Sequence, residues 1–173
     1  MAEATALLTR PAEAAPPAED LLLDLLAGAP HRVIDHPAEG RTDLASALRG
    51  HPLGQAAKCI VTRVKLPGRA VRYGLAVVRG DHRVDLGAVG RILGGTKAGF
   101  ADAGTAERLT GCVSGTVVPF SFHPELRLLA DPGLLDQEEI YFNAARLDRS
   151  IALPTAAYRR LADPRVEPIA EAI

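Results

Sequence analysis

The sequence predicts an α/β fold in which helices pack around a mixed β-sheet, and three observations carry that reading. β-Rich runs are interleaved with short helical segments along most of the chain. The two longest runs, Ala57 to Lys65 and Val71 to Val78, are separated by Leu66-Pro67-Gly68-Arg69, which has the turn residues of a hairpin. Such hairpins break the strict alternation that a doubly wound parallel sheet requires. A length of 173 residues is enough for one well-buried core and short for two, so a single domain is expected.

Met1 to Pro17 is rich in Ala, Glu and Pro with little apolar periodicity, and a flexible N-terminal arm is expected there, with the folded domain over 18–173. Asp20 to Ala27 reads as a short apolar helix stopped by Gly28 and Pro30, and a strand follows at Arg32 to Asp35. Thr42 has the hydroxyl to cap a helix running to Arg49, which Gly50 and Pro52 end. After the hairpin, Asp85 is placed to cap a helix through Leu93, closed by Gly94-Gly95. A strand at Thr96 to Phe100 and a helix at Thr105 to Thr110 come next. Glu125 to Leu129, Glu139 to Asn143 and Ser150 to Leu153 read as strands, and Pro154 opens a last helix to about Leu161 from its first position.

Composition narrows the function. No apolar run is long enough to span a bilayer, and Met1 to Pro17 lacks the basic start and apolar centre of a secretory signal, so a cytoplasmic location and no membrane partner are expected. Two cysteines, Cys59 and Cys112, make neither a disulfide framework nor a four-ligand zinc site. The histidines lack HxH or HxxxH spacing, so no metal and no cofactor are expected. A net charge of -1 gives no global pull toward polyanions and disfavours extended nucleic-acid wrapping. Arg63, Lys65, Arg69 and Arg72 nevertheless cluster around one turn, with Arg41 and Arg49 upstream, and read either as a local basic patch or as a solvated hairpin tip.

Two features point to chemistry. Alternation puts Lys58 on one face with Ile60, Thr62 and Val64, and Ala57, Cys59 and Val61 on the other; both faces are largely apolar. An ammonium group is costly to enclose, so Lys58 is either a partly buried cation awaiting an anionic or carbonyl-bearing partner or a strand-end lysine that snorkels to water. Thr110 through Phe120 is mostly uncharged, with Gly115 permitting backbone shapes closed to other residues and Pro119 fixing one torsion; its amides can face an oxyanion or orient a water, although ordinary turns share this composition. Ser114, Ser121 and Ser150 lack the context of a nucleophile elbow, and neither cysteine has a recognisable base partner.

In their order along the chain, several segments resemble the YbaK/ProX family of aminoacyl-tRNA deacylases, relatives of the editing domain of bacterial prolyl-tRNA synthetases. They are His36-Pro37, Ala57-Lys58-Cys59-Ile60-Val61, Gly80 through Leu86, Thr110 through Phe120, and Ile140 through Ala145 followed by Arg149-Ser150-Ile151. The resemblance covers about residues 20 to 170. It implies a barrel-like mixed sheet and hydrolysis of the ester joining a small amino acid, of the Ala, Ser, Thr or Cys class, to the terminal adenosine of a mischarged tRNA. Lys58 matches the family lysine, and Gly115 to Pro119 matches its GxxxP element; Lys58, Gly115 and Pro119 are the implied catalytic positions. Cys59, Thr116, Val117, Val118, Asn143, Ser150 and His36 are the implied substrate-side positions, with a core role open for Cys59, Asn143 and Ser150 and a packing role for His36. The implied partners are the aminoacyl-tRNA acceptor end and, as a further candidate, an aminoacyl-tRNA synthetase.

The chain departs from the family pattern at Thr116, where a second glycine is usual, and at Ala144-Ala145, where a glycine is common. Lost backbone freedom and added methyl groups beside a smaller or reshaped cavity are the expected result. Those departures leave room for a rival reading, a non-catalytic module that binds aminoacyl-tRNA ends or a protein partner. Hydrolysis of a free aminoacyl ester is a third.

Overall fold

The computed structural model describes residues 17–173, so the arm expected over 1–17 lies, apart from Pro17, outside the described residues. Helix α1 (Ala18–Leu26) leads into strand β1 (Arg32–Asp35), helix α2 (Thr42–Arg49) and a single 3-10 turn, Leu53–Gln55. The hairpin expected from the sequence forms β2 (Ala57–Lys65) and β3 (Val71–Arg79), paired antiparallel along their whole length. Strand β4 (His82–Val84), helix α3 (Leu86–Ile92), strand β5 (Lys97–Phe100) and helix α4 (Ala103–Thr110) follow. The remainder is β6 (Leu126–Ala130), the short α5 (Pro132–Leu135), β7 (Glu139–Asn143), β8 (Arg149–Pro154), α6 (Thr155–Ala162), β9 (Arg165–Val166) and β10 (Ala170–Ala172).

A five-stranded sheet in the order β5-β2-β3-β6-β9 is mixed, because β2 and β3 run antiparallel whereas β3 and β6 run parallel. Alternation along β3 divides the interior. Leu75 and Val77 enter a larger core with Leu22 and Leu26 of α1, Tyr158 of α6 and Phe142 and Ile151 of a second sheet, β1-β8-β7. Ala76 and Val78 enter a smaller core with Val89 and Leu93 on the opposite side. The central strand is thus buried on both faces, as its near-continuous apolar sequence requires. The two sheets touch through a single parallel bridge between Ala56 and Tyr141, so the barrel-like arrangement does not close.

Two capping expectations change. Thr42 is the first helical residue of α2, not its cap; Arg41 holds the cap position without a side-chain bond, and the Thr42 carbonyl accepts from Ser46 Oγ at 2.7 Å. Pro154 stands at the cap of α6 as the last residue of β8, one position before the helical residue expected of it. Asp85 does cap α3, accepting from the Ala88 amide at 3.0 Å. The two-residue β9, the edge strands β4 and β10 and the one-turn α5 are too short to carry a periodic signal.

Candidate active site

Strand β5 pairs with β2 only from Thr62 to Lys65, leaving the edge of β2 from Ala57 to Ile60 without a strand partner on that side. A cavity of about 490 Å³ opens against this edge. The opposing walls come from Gly40 and α2, from Phe100 and α4, from the loop after α4, and from Phe142 and Asn143 of β7. Because a free edge presents both strand faces, every residue from Ala57 to Val61 lines the cavity. Alternation sets Lys58 and Cys59 on opposite faces, and the free edge brings both to one space.

Alternation also fixes the backbone of this edge. The Val61 carbonyl accepts from the Ala101 amide at 3.0 Å on the β5 side, so two residues earlier the N–H and C=O of Cys59 point the same way, toward the cavity. The Cys59 main chain is therefore a donor and acceptor pair without a strand partner on that side.

Lys58 is half-buried, and among the described residues its ammonium forms no ion pair. Burial lowers its pKa, and Asp81 acts in the opposite direction. Asp81 is itself locked as an anion: hydrogen bonds from Arg79 at 2.7 Å to each oxygen hold its pKa down at about 2. Both thiols are pushed the other way. Burial raises Cys59 far above its ordinary value and Cys112 above its own, so neither supplies a thiolate at neutral pH.

The loop after α4 reaches the cavity with Ser114, Gly115 and Val117. Gly115 has φ +85° and packs against Gly40 so closely that a Cβ would lie 2.8 Å from the Gly40 Cα. No other residue fits there without displacing main chain. Thr116 bonds back through its amide and hydroxyl to the Val113 carbonyl, at 3.0 and 2.7 Å, and is buried away from the cavity. Val118 lies in the core, and the carbonyl of Pro119 accepts from the buried Tyr158 hydroxyl at 2.8 Å. Phe120 completes this anchor edge-on to Tyr158, ring centroids 5.3 Å apart.

A polar network supports the other side of the loop. Asn143 Nδ2 donates to the carbonyls of Gly115 at 3.0 Å and Glu39 at 2.8 Å, while its Oδ1 accepts from Ser150 Oγ at 2.9 Å. His36 Nε2 lies 2.7 Å from the same hydroxyl. Arg49 Nη1 reaches both Asn143 Oδ1 and Ser150 Oγ at 3.3 Å, and its Nε donates to His51 Nε2 at 2.9 Å. Every acceptor around this guanidinium is neutral, and burial lowers its pKa to about 10.

Of the ten site residues expected from sequence, Lys58, Cys59, Gly115, Val117 and Asn143 line the cavity. Thr116, Val118, Pro119, Ser150 and His36 stand behind it. The methyl groups of Thr116, Ala144 and Ala145 are also outside the lining, so they do not reduce the cavity as expected. Ala145 has a left-handed backbone, φ 60°, the region that ordinarily favours glycine. Arg49, Gly40 and Phe142 escaped the sequence reading. The sequence groups Arg49 with the hairpin cations as a basic patch or a solvated tip, whereas the fold turns it inward onto Asn143 and Ser150. Among the described residues no three His, Cys, Asp or Glu side chains converge as a metal site, and no helix is long and apolar enough to cross a membrane.

A family model described as an aminoacyl-tRNA editing domain matches residues 36–161, which contain every lining residue of the cavity. The chain is 44% identical over 141 residues to the multifunctional Ser/Thr-tRNA deacylase ProXp-y of Escherichia coli K12, covering 80% of this chain and 83% of that one. The same figures hold for the protein of that name from Escherichia coli O157:H7. Among solved structures, hypothetical protein APE2540 is similar with a TM-score of 0.77 and 19% identity over 89% of this chain and 99% of its own. A candidate trans-editing enzyme for prolyl-tRNA synthetase is similar with a TM-score of 0.73 and 23% identity, over 92% of this chain and all of the other. Those two likenesses speak to the fold, and the sequence matches to the family: the chain belongs to the aminoacyl-tRNA editing domain family.

Proposed function

We propose that this protein is a trans-editing deacylase that hydrolyses the ester of tRNA mischarged with a small amino acid, with serine and threonine first among the substrates. The observation that carries the reading is the convergence of the Lys58 ammonium, the Cys59 strand edge and the Gly115 loop on one cavity of about 490 Å³. That volume suits an esterified amino acid with part of its ribose. The 44% identical relative is a Ser/Thr-tRNA deacylase by name.

In this reading Lys58 attracts the phosphate or the ester oxygen of the terminal adenosine, its attraction strengthened by the apolar surroundings. Loop backbone at Gly115 orients the acyl group and the attacking water, and the unpaired Cys59 N–H offers a donor to a developing oxyanion. Cys59 and Val117 set the room available to the amino-acid side chain. Thr116, Val118 and Pro119 act through the loop conformation, and Ser150 and His36 through Asn143. With both thiols protonated, water delivered to an activated ester replaces covalent catalysis, and the neighbouring ribose hydroxyl is the available proton relay. The synthetase that makes the mischarged ester is the expected protein partner, and the cytoplasm the expected location.

A panel of Ser-, Thr-, Ala- and Cys-charged tRNAs tests the proposal. Enzyme-dependent loss of the ester, abolished by Lys58→Ala, is the expected result. Binding of charged tRNA without turnover would make the protein a recognition module, and equal turnover of aminoacyl-adenosine and aminoacyl-tRNA would make it a general aminoacyl esterase.

A further inference from the structure

Beyond the cavity, strand β2 carries a second feature. Arg63 and Lys65 follow Ala57, Cys59 and Val61 on the same strand face, and the register with β5 sets Lys97 directly opposite Lys65 and Gly99 opposite Arg63. Three cations therefore share one face. Like charges directly opposite on neighbouring strands repel, and an isolated domain gains nothing from placing two lysines there. The register is nonetheless rigidly set. Gly95 sits so close to Lys65 that a Cβ would fall 2.5 Å from the Lys65 carbonyl oxygen, and the Thr96 amide donates to that oxygen at 2.8 Å.

None of the three cations pairs with a carboxylate among the described residues. Together with Ala98, Gly99 and Phe100 they line a small groove of about 150 Å³; Phe100 stands opposite Thr62 at the end of β5, so it leaves the strand from the other face. Phe100 also borders the large cavity, and it is 68% exposed, the most exposed aromatic ring of the described core elements. Of the hairpin cations grouped by sequence, Arg72 is drawn off to the opposite side, where Nη1 donates to the Leu93 carbonyl at 2.6 Å. Lys97, distant in sequence, takes its place.

We propose that Arg63, Lys65 and Lys97 form a phosphate track for single-stranded RNA, along which the 3′ end of the tRNA enters the cavity past Phe100. The proposal rests on the deacylase reading for the identity of the RNA. Unpaired cations with an exposed aromatic ring at the end of the same strand, shared between groove and cavity, can hold a single strand: the cations follow its phosphates and a base stacks on the ring. The strip also reconciles a chain of net charge -1 with a polyanionic substrate, because the attraction is local.

The test compares wild type with Lys65→Gln/Lys97→Gln and Phe100→Ala on two substrates, seryl-tRNA and seryl-adenosine, the second lacking phosphates. Neutralising the lysines should lower kcat/KM on seryl-tRNA by about tenfold or more and flatten its dependence on salt. Phe100→Ala should cost about five- to tenfold on seryl-tRNA, the loss of one stacked base. Seryl-adenosine turnover by the double lysine variant should stay within about twofold, and its melting temperature should hold or rise as repulsion is relieved. Equal losses on both substrates in the double lysine variant, or no loss on seryl-tRNA, would overturn the track. Should wild type hydrolyse neither substrate, the deacylase reading fails separately. The track is then decided by fluorescence anisotropy with an uncharged single-stranded RNA ending in CCA, where unchanged binding by the variants would refute it.

Discussion

Asn143 Nδ2 donates to the carbonyl of Gly115 at 3.0 Å, joining the last residue of β7 to the loop that walls the cavity. The same amide group holds the Glu39 carbonyl, so one side chain clamps two backbone segments that also meet at the Gly40–Gly115 contact. Replacing it should loosen the loop. For Asn143→Ala we expect a stability loss of about 1 kcal/mol, from two part-buried carbonyls left without their donor, and at least a tenfold fall in kcat with a smaller change in KM. Thermal melts and steady-state deacylation measure the two effects.

Gly115→Ala attacks the same junction from the other side. A methyl group there meets the Gly40 main chain at 2.8 Å and must also tolerate φ +85°. A cost of about 1–3 kcal/mol in stability is expected, with loss of most activity. Combined with Asn143→Ala the energies should fall short of their sum, since both act on one loop conformation; strict additivity in a double-mutant cycle would refute that coupling.

Lys58→Met removes the cavity's unpaired ammonium while keeping its stem. Deacylation should fall by about 10² or more in kcat/KM, with the melting temperature unchanged or raised because a half-buried charge has been deleted. Lys58→Arg should restore part of the rate. Full activity in Lys58→Met would remove this residue from the chemistry.

Arg49 predicts a different pattern. Its guanidinium has only neutral acceptors, Asn143, Ser150, His51 and Ser46, so its burial is not compensated by a carboxylate. Arg49→Met should therefore leave stability within about 1 kcal/mol of wild type, yet lower affinity for the anionic substrate and raise KM about tenfold. Severe destabilisation instead would mark Arg49 as a strut for Asn143.

The pH dependence centres on His51. Its ring stacks on Tyr141 with centroids 3.7 Å apart, and its Nε2 must accept from Arg49, because an arginine Nε always donates. His51 is neutral in this arrangement, and burial holds its pKa down from 6.5 to about 4. The unfolded chain binds a proton below about 6.5 and the folded chain only near 4. The stabilisation is complete above 6.5 and is lost as pH falls through that window, by about 1 kcal/mol once partial exposure is discounted. Melting temperatures from pH 8 to pH 4 should show that decline, and His51→Phe, which keeps the stack, should flatten it.

Much of the architecture was legible because it rests on local chemistry. The β2-β3 hairpin carries its turn residues, α3 its Asp85 cap, and the helix after Gly99 its terminating Gly111. The resemblance brought Lys58, Gly115 and Asn143 into view, and the fold gathers them at one cavity. What sequence could not give was orientation. Thr116 and Val118 alternate with Val117 along the loop, and only tertiary packing decides that Val117 faces the cavity while its neighbours are buried. The free edge of β2 depends on where β5 stops, and Lys97 meets Lys65 through a register that no local pattern encodes. Arg49 belongs to the same class, since its meaning lies in residues about a hundred positions away.

The abutment of Gly40 on Gly115 has an evolutionary consequence. A partition built from two bare main-chain segments offers no side chain to shorten, so point substitutions cannot widen the chamber there, and any replacement thickens it. Drift toward bulkier or slimmer acyl groups must proceed instead through lining side chains such as Cys59, Ile60 and Val117.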